Sequence, residues 1–260
     1  MGFRFKEQHT SNYKLMLKEH PKIPLTPEIR DHYESVSGQH GSYLFPQPFG
    51  DRTITVVCQL LADSREERTR LVMDIAGWLY SVGREVLVFD NEPNIFFRGK
   101  VVSQIDLDST ITTGVFNITF RCEPFKYGNE KESVEQLATD GSYMEFQAEG
   151  TTDIFPLIEI EAIEGIISNP SINVNGFLMQ YNGYIPNDGK IIINSKDFTV
   201  ITNNLNDTNM TGAVDLNNNS VLSRLKGSFP ILRGGINSLS YTSGNKAIAK
   251  ITISWQPTYI

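Results

Sequence analysis

Residues 64–83 read SREERTRLVMDIAGWLYSVG, and they are the one stretch of the chain that asks for a long helix. Ser64 followed by Glu67 is a capping-box pattern: the hydroxyl accepts from the Glu67 N–H while the Glu67 carboxylate reaches back to the Ser64 N–H. Leu71, Val72, Ile75, Trp78, Leu79 and Val82 recur at helical spacing and form one apolar face, leaving Arg65, Glu66, Arg68, Arg70 and Asp74 to solvent. Gly83 offers a left-handed cap, so the spacing predicts a helix over residues 65–82. Burying each large side chain of that stripe contributes about 1.5–3 kcal/mol, more than propensity or surface charge pairs supply, so the helix must dock on a sheet.

Strands surround it. Residues 52–61 alternate Ile54, Val56 and Cys58 against Thr53, Thr55 and Val57 and lead into the helix. After it come a short strand at 85–90, a turn at Asn91-Glu92-Pro93-Asn94, and a long strand at 95–107 in which Gly99 suggests a bulge or bend. Residues 112–125 pair back across Asp108-Ser109-Thr110. Towards the amino terminus, 3–6 and 12–18 read as short strands, the second with Leu15 and Leu17 inward. Pro21, Pro24 and Pro27 keep the next segment extended and unpaired, as an arm or edge rather than a central strand. Residues 32–36 resume a strand that Gly38 and Gly41 turn, and 45–51 form a stiff corner.

Residues 127–133 shift to Gly, Asn, Glu and Lys and read as a linker. Beyond Val134 only strands are predicted, at 142–148, 155–163, 171–174, 177–184, 190–194, 197–202, 228–232, 238–241 and 247–255. Asn175-Gly176 is a strong hairpin turn. Short strands at this spacing imply an antiparallel sandwich, with the Asn-rich and Asp-rich stretch 203–220 as a solvated hairpin or loop.

The composition, with 40% hydrophobic and 20% charged residues in 260, is that of a soluble globular protein. No apolar run approaches the roughly 18 residues of a membrane span, and the expectation is no membrane insertion. The first residues already alternate like a strand, so no export leader is expected, and Lys6 stands where a myristoylation motif needs Ser or Thr. Synthesis in a cytoplasm follows. The net charge of −7 argues against a sequence-specific nucleic-acid partner, although it suits a conduit through which DNA slides without sticking. Cys58 and Cys122 read as two buried free thiols, with a disulfide as the alternative.

The residues that chemistry would need are scattered. His9, His20, His32 and His40 lack metal-site spacing, and no nucleophile motif accompanies them. Asp106 and Asp108 are the best-placed carboxylate pair, yet read as two same-face residues at a hairpin end. Glu159 and Glu161 mark the wet face of a strand, and Gly234-Gly235 has no helix after it to bind phosphate. Asn117, Asn206, Asn209 and Asn218 begin glycosylation sequons that count for little without export. No catalytic, metal or cofactor-binding residue is assigned. Trp255 and Tyr259 are the candidates for stacking on a saccharide, against a reading of Trp255 as core.

In order along the chain, several phrases resemble the distal tail proteins of long-tailed bacteriophages of Gram-positive hosts. They are Phe3-Arg4-Phe5, Ser35-Val36-Ser37-Gly38-Gln39-His40-Gly41-Ser42, Arg52-Thr53-Ile54-Thr55-Val56, the helix ending in Trp78-Leu79, and Val86-Leu87-Val88-Phe89-Asp90. Phe97-Arg98-Gly99-Lys100, Phe120-Arg121-Cys122-Glu123-Pro124-Phe125, Phe229-Pro230-Ile231-Leu232 and Gly234-Gly235-Ile236-Asn237-Ser238-Leu239 continue the series. Gln39-His40 replaces the more usual basic-acidic pair, and Gly234-Gly235 the usual proline-glycine. The resemblance implies a mainly β chain: a β-sandwich-like, ring-forming domain with one α-helix over residues 1–132, then a galectin-like antiparallel β-sandwich over residues 133–260.

It further implies a non-enzymatic structural virion protein, without cofactor, that forms a hexameric ring at the distal end of the tail. Its partners would be further copies of itself, the tail tube protein, the tail-associated tip protein, and receptor-binding or accessory proteins hung on the ring, with DNA passing through the lumen. The same design serves phage-tail-like particles. A long hairpin over residues 95–125 could present an edge to the next copy. The alternative function is a carbohydrate-binding module that recognises host cell-wall saccharide through the second domain.

Overall fold

The computed structural model describes residues 1–105, 108–109, 112–128, 131–203 and 222–260, with backbone alone at 108, 109 and 203. The chain divides into two compact units, Met1–Asn129 and Glu130–Tyr259.

The first unit contains β1 (Phe3–Phe5), β2 (Gln8–His9), a 3₁₀ turn (Thr10–Tyr13), β3 (Leu15–Leu17), β4 (His32–Glu34), β5 (Tyr43–Phe45), β6 (Arg52–Leu61) and α1 (Arg65–Leu79). It continues with β7 (Glu85–Phe89), β8 (Ile95–Val101), β9 (Asp108–Ser109), β10 (Thr113–Cys122) and β11 (Lys126–Gly128). All pairings are antiparallel, in the order β2-β1-β7-β8-β10-β6-β3, with β9 on β10 and β11 on β8. The ends of this sheet approach each other, because the Leu17 N–H on β3 donates to the Met1 carbonyl beside β1 at 3.0 Å. Phe3, Phe5, Ile54, Val56, Leu60, Phe97 and Phe120 fill the concavity, and Leu71, Ile75, Trp78 and Leu79 of α1 close it. The alternation of β6 and β10 is what aims those residues inward, since successive side chains point to opposite faces.

The helix starts as its sequence predicts, with the Ser64 hydroxyl accepting from the Glu67 N–H at 3.1 Å. The return arm reaches one residue further than expected: the Glu67 carboxylate accepts from the Asp63 N–H at 2.7 Å and pairs with Lys14 at 2.8 Å. The helix ends at Leu79, three residues before the expected terminus at 82, because Tyr80 turns to an extended conformation (φ −71°, ψ 127°). The exposed carbonyls find lysines in place of a glycine cap, Lys6 Nζ donating to Tyr80 O at 2.6 Å and Lys100 Nζ to Val82 O at 3.4 Å. Val82 is therefore exposed and leaves the apolar stripe.

Gly99 also differs from expectation. The pairing of β8 with β10 runs through it without a register shift; its role is close approach, as a Cβ there would lie 2.5 Å from Cys122 Sγ. Among the described residues, neither β8 nor β10 is a free edge. β8 and β10 each have a strand on both sides.

The second unit holds β12 (Glu132–Ala138), β13 (Tyr143–Ala148), β14 (Leu157–Glu164), β15 (Ile167–Ser168), β16 (Ser171–Val174), β17 (Phe177–Tyr181) and β18 (Tyr184–Ile185). β19 (Lys190–Asn194), β20 (Thr199–Asn203), β21 (Leu225–Gly227), β22 (Gly235–Thr242), β23 (Ile248–Trp255) and β24 (Thr258–Tyr259) complete it. Two antiparallel sheets, β12-β23-β14-β19-β20 and β13-β22-β16-β17-β21, share one core that includes Ile158, Ile160, Ile251 and Ile253 from the first and Ile172, Met179, Leu239 and Tyr241 from the second. That is a β-sandwich, as the strand spacing implied. The Asn175-Gly176 turn has both residues at positive φ (52° and 89°), the conformation a two-residue hairpin demands.

β12 escapes a sequence reading because its inward positions alternate Glu132 and Gln136 with Val134 and Ala138, which blurs the period-two signal. The strand expected at 228–232 reduces to a bridge between Leu232 and Ile154, since Pro230 has no N–H to donate. Most of the loop expected at 203–220 lies outside the described residues. The phrase Gly234-Gly235-Ile236-Asn237 has a structural logic. A Cβ on Gly234 would sit 2.1 Å from the Gly150 carbonyl, and Gly235 adopts φ 106°. Buried Asn237 donates to the Arg233 and Gly235 carbonyls and accepts from the Arg233 N–H and from Asn175 Nδ2.

Candidate assembly surface

The feature of the first unit that its own core does not explain is the arm between β3 and β6. Every residue from His32 to Phe49 is exposed, including Tyr33, Val36, Tyr43, Leu44, Phe45 and Phe49. Within it β4 and β5, among the described residues, pair only with each other, His32 opposite Phe45 and Glu34 opposite Tyr43, and the turn between them places Gly38 and Gly41 at φ 86°. Local contacts hold the hairpin: Tyr43 OH donates to Gln39 Oε1 at 2.6 Å, and His32 stands 3.2 Å from Glu34. Neither face of this two-stranded ribbon is covered, and an isolated hairpin of this kind is marginal in water. The exposed hairpin carries five large apolar side chains, Tyr33, Val36, Tyr43, Leu44 and Phe45, a patch of the kind that marks interaction sites.

Its base is built differently. Pro27 and Gly50 are buried; the Gly50 N–H donates to the Glu28 carbonyl at 2.8 Å, and a Cβ at Gly50 would collide with the Glu28 and Arg30 side chains. Lys22 bridges to Thr55 of β6, and Phe49 packs edge-on against Phe125 at 6.1 Å. Arg52, at the start of β6, is 1% exposed. Its guanidinium donates to the Pro24 and Leu25 carbonyls of the arm and, through Nε and Nη2, to the Pro124 carbonyl at 3.3 and 3.0 Å.

Burial lowers the Arg52 pKa, and among the described residues no carboxylate pairs with it. The neighbouring Asp51 turns instead to Arg84 (2.7 Å) and Arg121 (2.6 Å). Arg84 also approaches Glu123 at 3.7 Å, and Glu123 accepts from Tyr127 OH at 2.6 Å; burial and that bond push the phenol up. Arg98 lies over the Phe96 and Tyr127 rings at 5.7 Å. The sequence showed the prolines of the arm; the staple was invisible, because Arg52 reads as an ordinary polar residue in an alternating strand.

The residues expected to carry chemistry do not converge. His9 caps the first 3₁₀ turn and pairs with Asp90 at 3.0 Å, while His20, His32 and His40 are exposed. Asp106 and the side chain of Asp108 lie outside the described residues, as do three of the four sequons; Asn117 is exposed. Glu159 pairs with Lys190 at 2.9 Å on the outer face of the sandwich. Among the described residues no group of three or more His, Cys, Asp and Glu is placed to hold a metal, and no helix is long and apolar enough to cross a membrane. Cys58 and Cys122 are buried free thiols, each pushed up to about 12 by burial.

Trp255 is 4% exposed, packs on Phe146 at 5.3 Å and donates to Glu132 Oε2. At that burial its ring packs within the core of the second unit. Tyr259 is half-buried, its hydroxyl donating to Glu149 at 3.2 Å.

Residues 8–122, which span the curled sheet, the arm and α1, match the family described as phage tail protein RIFT-related domain. Over that stretch the chain matches a phage-tail domain family, in line with the resemblance to distal tail proteins read from the sequence. Along its whole length the chain then shares the fold of SPP1 Dit, a protein described as a paradigm of the hub adsorption apparatus in phages that infect Gram-positive hosts. The TM-score is 0.75 at 13% identity, covering 100% of this chain and 99% of that one. A component of the phage p2 baseplate in its activated conformation aligns at 14% identity over 97% of both chains with a TM-score of 0.45. Comparison with curated proteins gave no match.

Proposed function

We propose that this chain is a structural virion protein, the hub at the distal end of a phage tail or of a phage-tail-like particle. Copies of the first unit close into a hexameric ring that joins the tail tube to the tip or baseplate, and the sandwich unit anchors receptor-binding or accessory proteins at the periphery. The phage-tail family match over residues 8–122 and the whole-chain fold shared with a tail hub support the reading. The observation that carries the ring is the arm: an uncovered hairpin with exposed Tyr33, Tyr43, Leu44 and Phe45 needs a second chain to complete it. A ring needs a heterologous contact, one patch meeting a different patch on the next copy, and a projecting arm supplies one half of such a contact.

The test is a variant in which residues 32–45 are replaced by a short Gly-Ser linker. Both units should fold, with two unfolding transitions near those of the parent, while ring assembly is lost. Rings forming at the parent's concentration without the hairpin would remove the arm from the interface and overturn this assignment.

A further inference from the structure

We infer that Arg52 is the positioning residue of the arm: its buried guanidinium clips the arm's entering segment at Pro24 and Leu25 to Pro124, just past β10, and so sets the direction in which the hairpin leaves the sheet. The inference rests on the assembly role proposed above and adds what controls it. A hairpin that swings freely would lose conformational freedom on docking, and an anchored base removes much of that cost before the neighbour arrives.

The geometry is unusual for a buried arginine. Such a charge normally meets a carboxylate, yet among the described residues every hydrogen-bond acceptor of Arg52 is a main-chain carbonyl, at Pro24, Leu25 and Pro124. Two of these carbonyls follow or belong to a proline-rich segment that cannot enter the sheet, and a planar fork with several donors can hold both sides of the junction at once. Around the clip, the Lys22 N–H bonds to Thr55 O at 3.1 Å, and the Gly50 N–H bonds to Glu28 O at 2.8 Å. Asp51 is held by Arg84 and Arg121, which fixes the chain on the other side of Arg52. The base is thereby fixed at both strands, while everything beyond Asp31 towards the tip is open.

Arg52→Lys keeps the charge and loses the fork, and Arg52→Met loses both; Arg4→Met, on the exposed side of β1, is the control. Hydrogen exchange on the full chain, at a concentration where it is monomeric, reads the amides of Lys22 and Gly50 against those of the β6–β10 ladder. Both Arg52 variants should speed exchange at Lys22 and Gly50 by about tenfold or more, as loss of a charged hydrogen bond implies, and leave the ladder unchanged. They should also raise the concentration needed for assembly by about tenfold or more, with the control unaffected. Unchanged exchange at the base overturns the inference, as does equal acceleration throughout the sheet, which would make Arg52 a general stabiliser. Loosened bases with undiminished assembly would likewise overturn it. Absence of rings in the parent chain would refute the hub reading instead, and the exchange data would still decide whether Arg52 holds the arm.

Discussion

Replacing Trp78 with alanine should unfold the first unit selectively, and the structure sets the size of the effect. Trp78 is 5% exposed, stacks on Tyr13 at 4.6 Å and on Phe3 at 5.7 Å, and meets Phe5 edge-on at 6.3 Å. Truncating a buried tryptophan to alanine costs about 3–5 kcal/mol through lost burial and the residual cavity. Its Nε1–H also donates to the buried Phe5 carbonyl at 2.8 Å, and leaving that acceptor unpaired adds about 1–3 kcal/mol. The combined loss, about 4–8 kcal/mol, is a large part of the roughly 5–15 kcal/mol that holds an ordinary domain.

At roughly 3–5 °C per kcal/mol for a unit of this size, the first unit's midpoint should fall by about 12 °C or more. Calorimetry shows the shift directly. Fluorescence separates the units, because the chain has two tryptophans and the variant keeps only Trp255, which reports the sandwich core. Trp78→Phe, which retains a ring but has no N–H, should lose less than half as much. A fall of less than about 5 °C in the first transition would refute the idea that α1 is held through Trp78.

Three further outcomes follow from other parts of the molecule. Asn237→Ala removes four hydrogen bonds at the turn before β22 and should destabilise the second unit by about 2–4 kcal/mol while the first unit's transition stays in place, a result calorimetry can check. Cys58 and Cys122 should resist alkylation in the native protein at neutral pH and react fully once it unfolds, as mass spectrometry would record. Burial keeps their thiols protonated up to about 12 in the fold against an ordinary value of 9.0, so the native state binds more protons above 9.0. The first unit should accordingly lose stability as pH rises from about 9 towards 12, and a Cys58→Ala, Cys122→Ala double variant should show a flatter decline.

Local chemistry decided what could be read in advance. The Ser64 cap, the alternation of β6 and the Asn175-Gly176 turn each depend on neighbours in sequence, and each stands in the structure. The helix terminus does not, because Lys6 and Lys100 arrive from strands far along the chain to take the place of a glycine cap. Gly99 is small because Cys122 faces it from the neighbouring strand β10, which a bulge rule cannot see. β12 carries Glu132 inward because Trp255 offers it an N–H, a pairing across most of the second unit. The same holds for the assembly surface. Pro21, Pro24 and Pro27 mark an arm, yet the buried charge that fixes its base looks in sequence like any strand arginine.

The most direct measurement of the hub proposal is the mass and shape of the assembled chain, by native mass spectrometry with negative-stain electron microscopy across protein and salt concentration. A closed ring with six times the 29.3 kDa mass of one chain is the expected result. Monomers throughout, or open filaments that never close, even on co-expression with the tube and tip proteins, would contradict it.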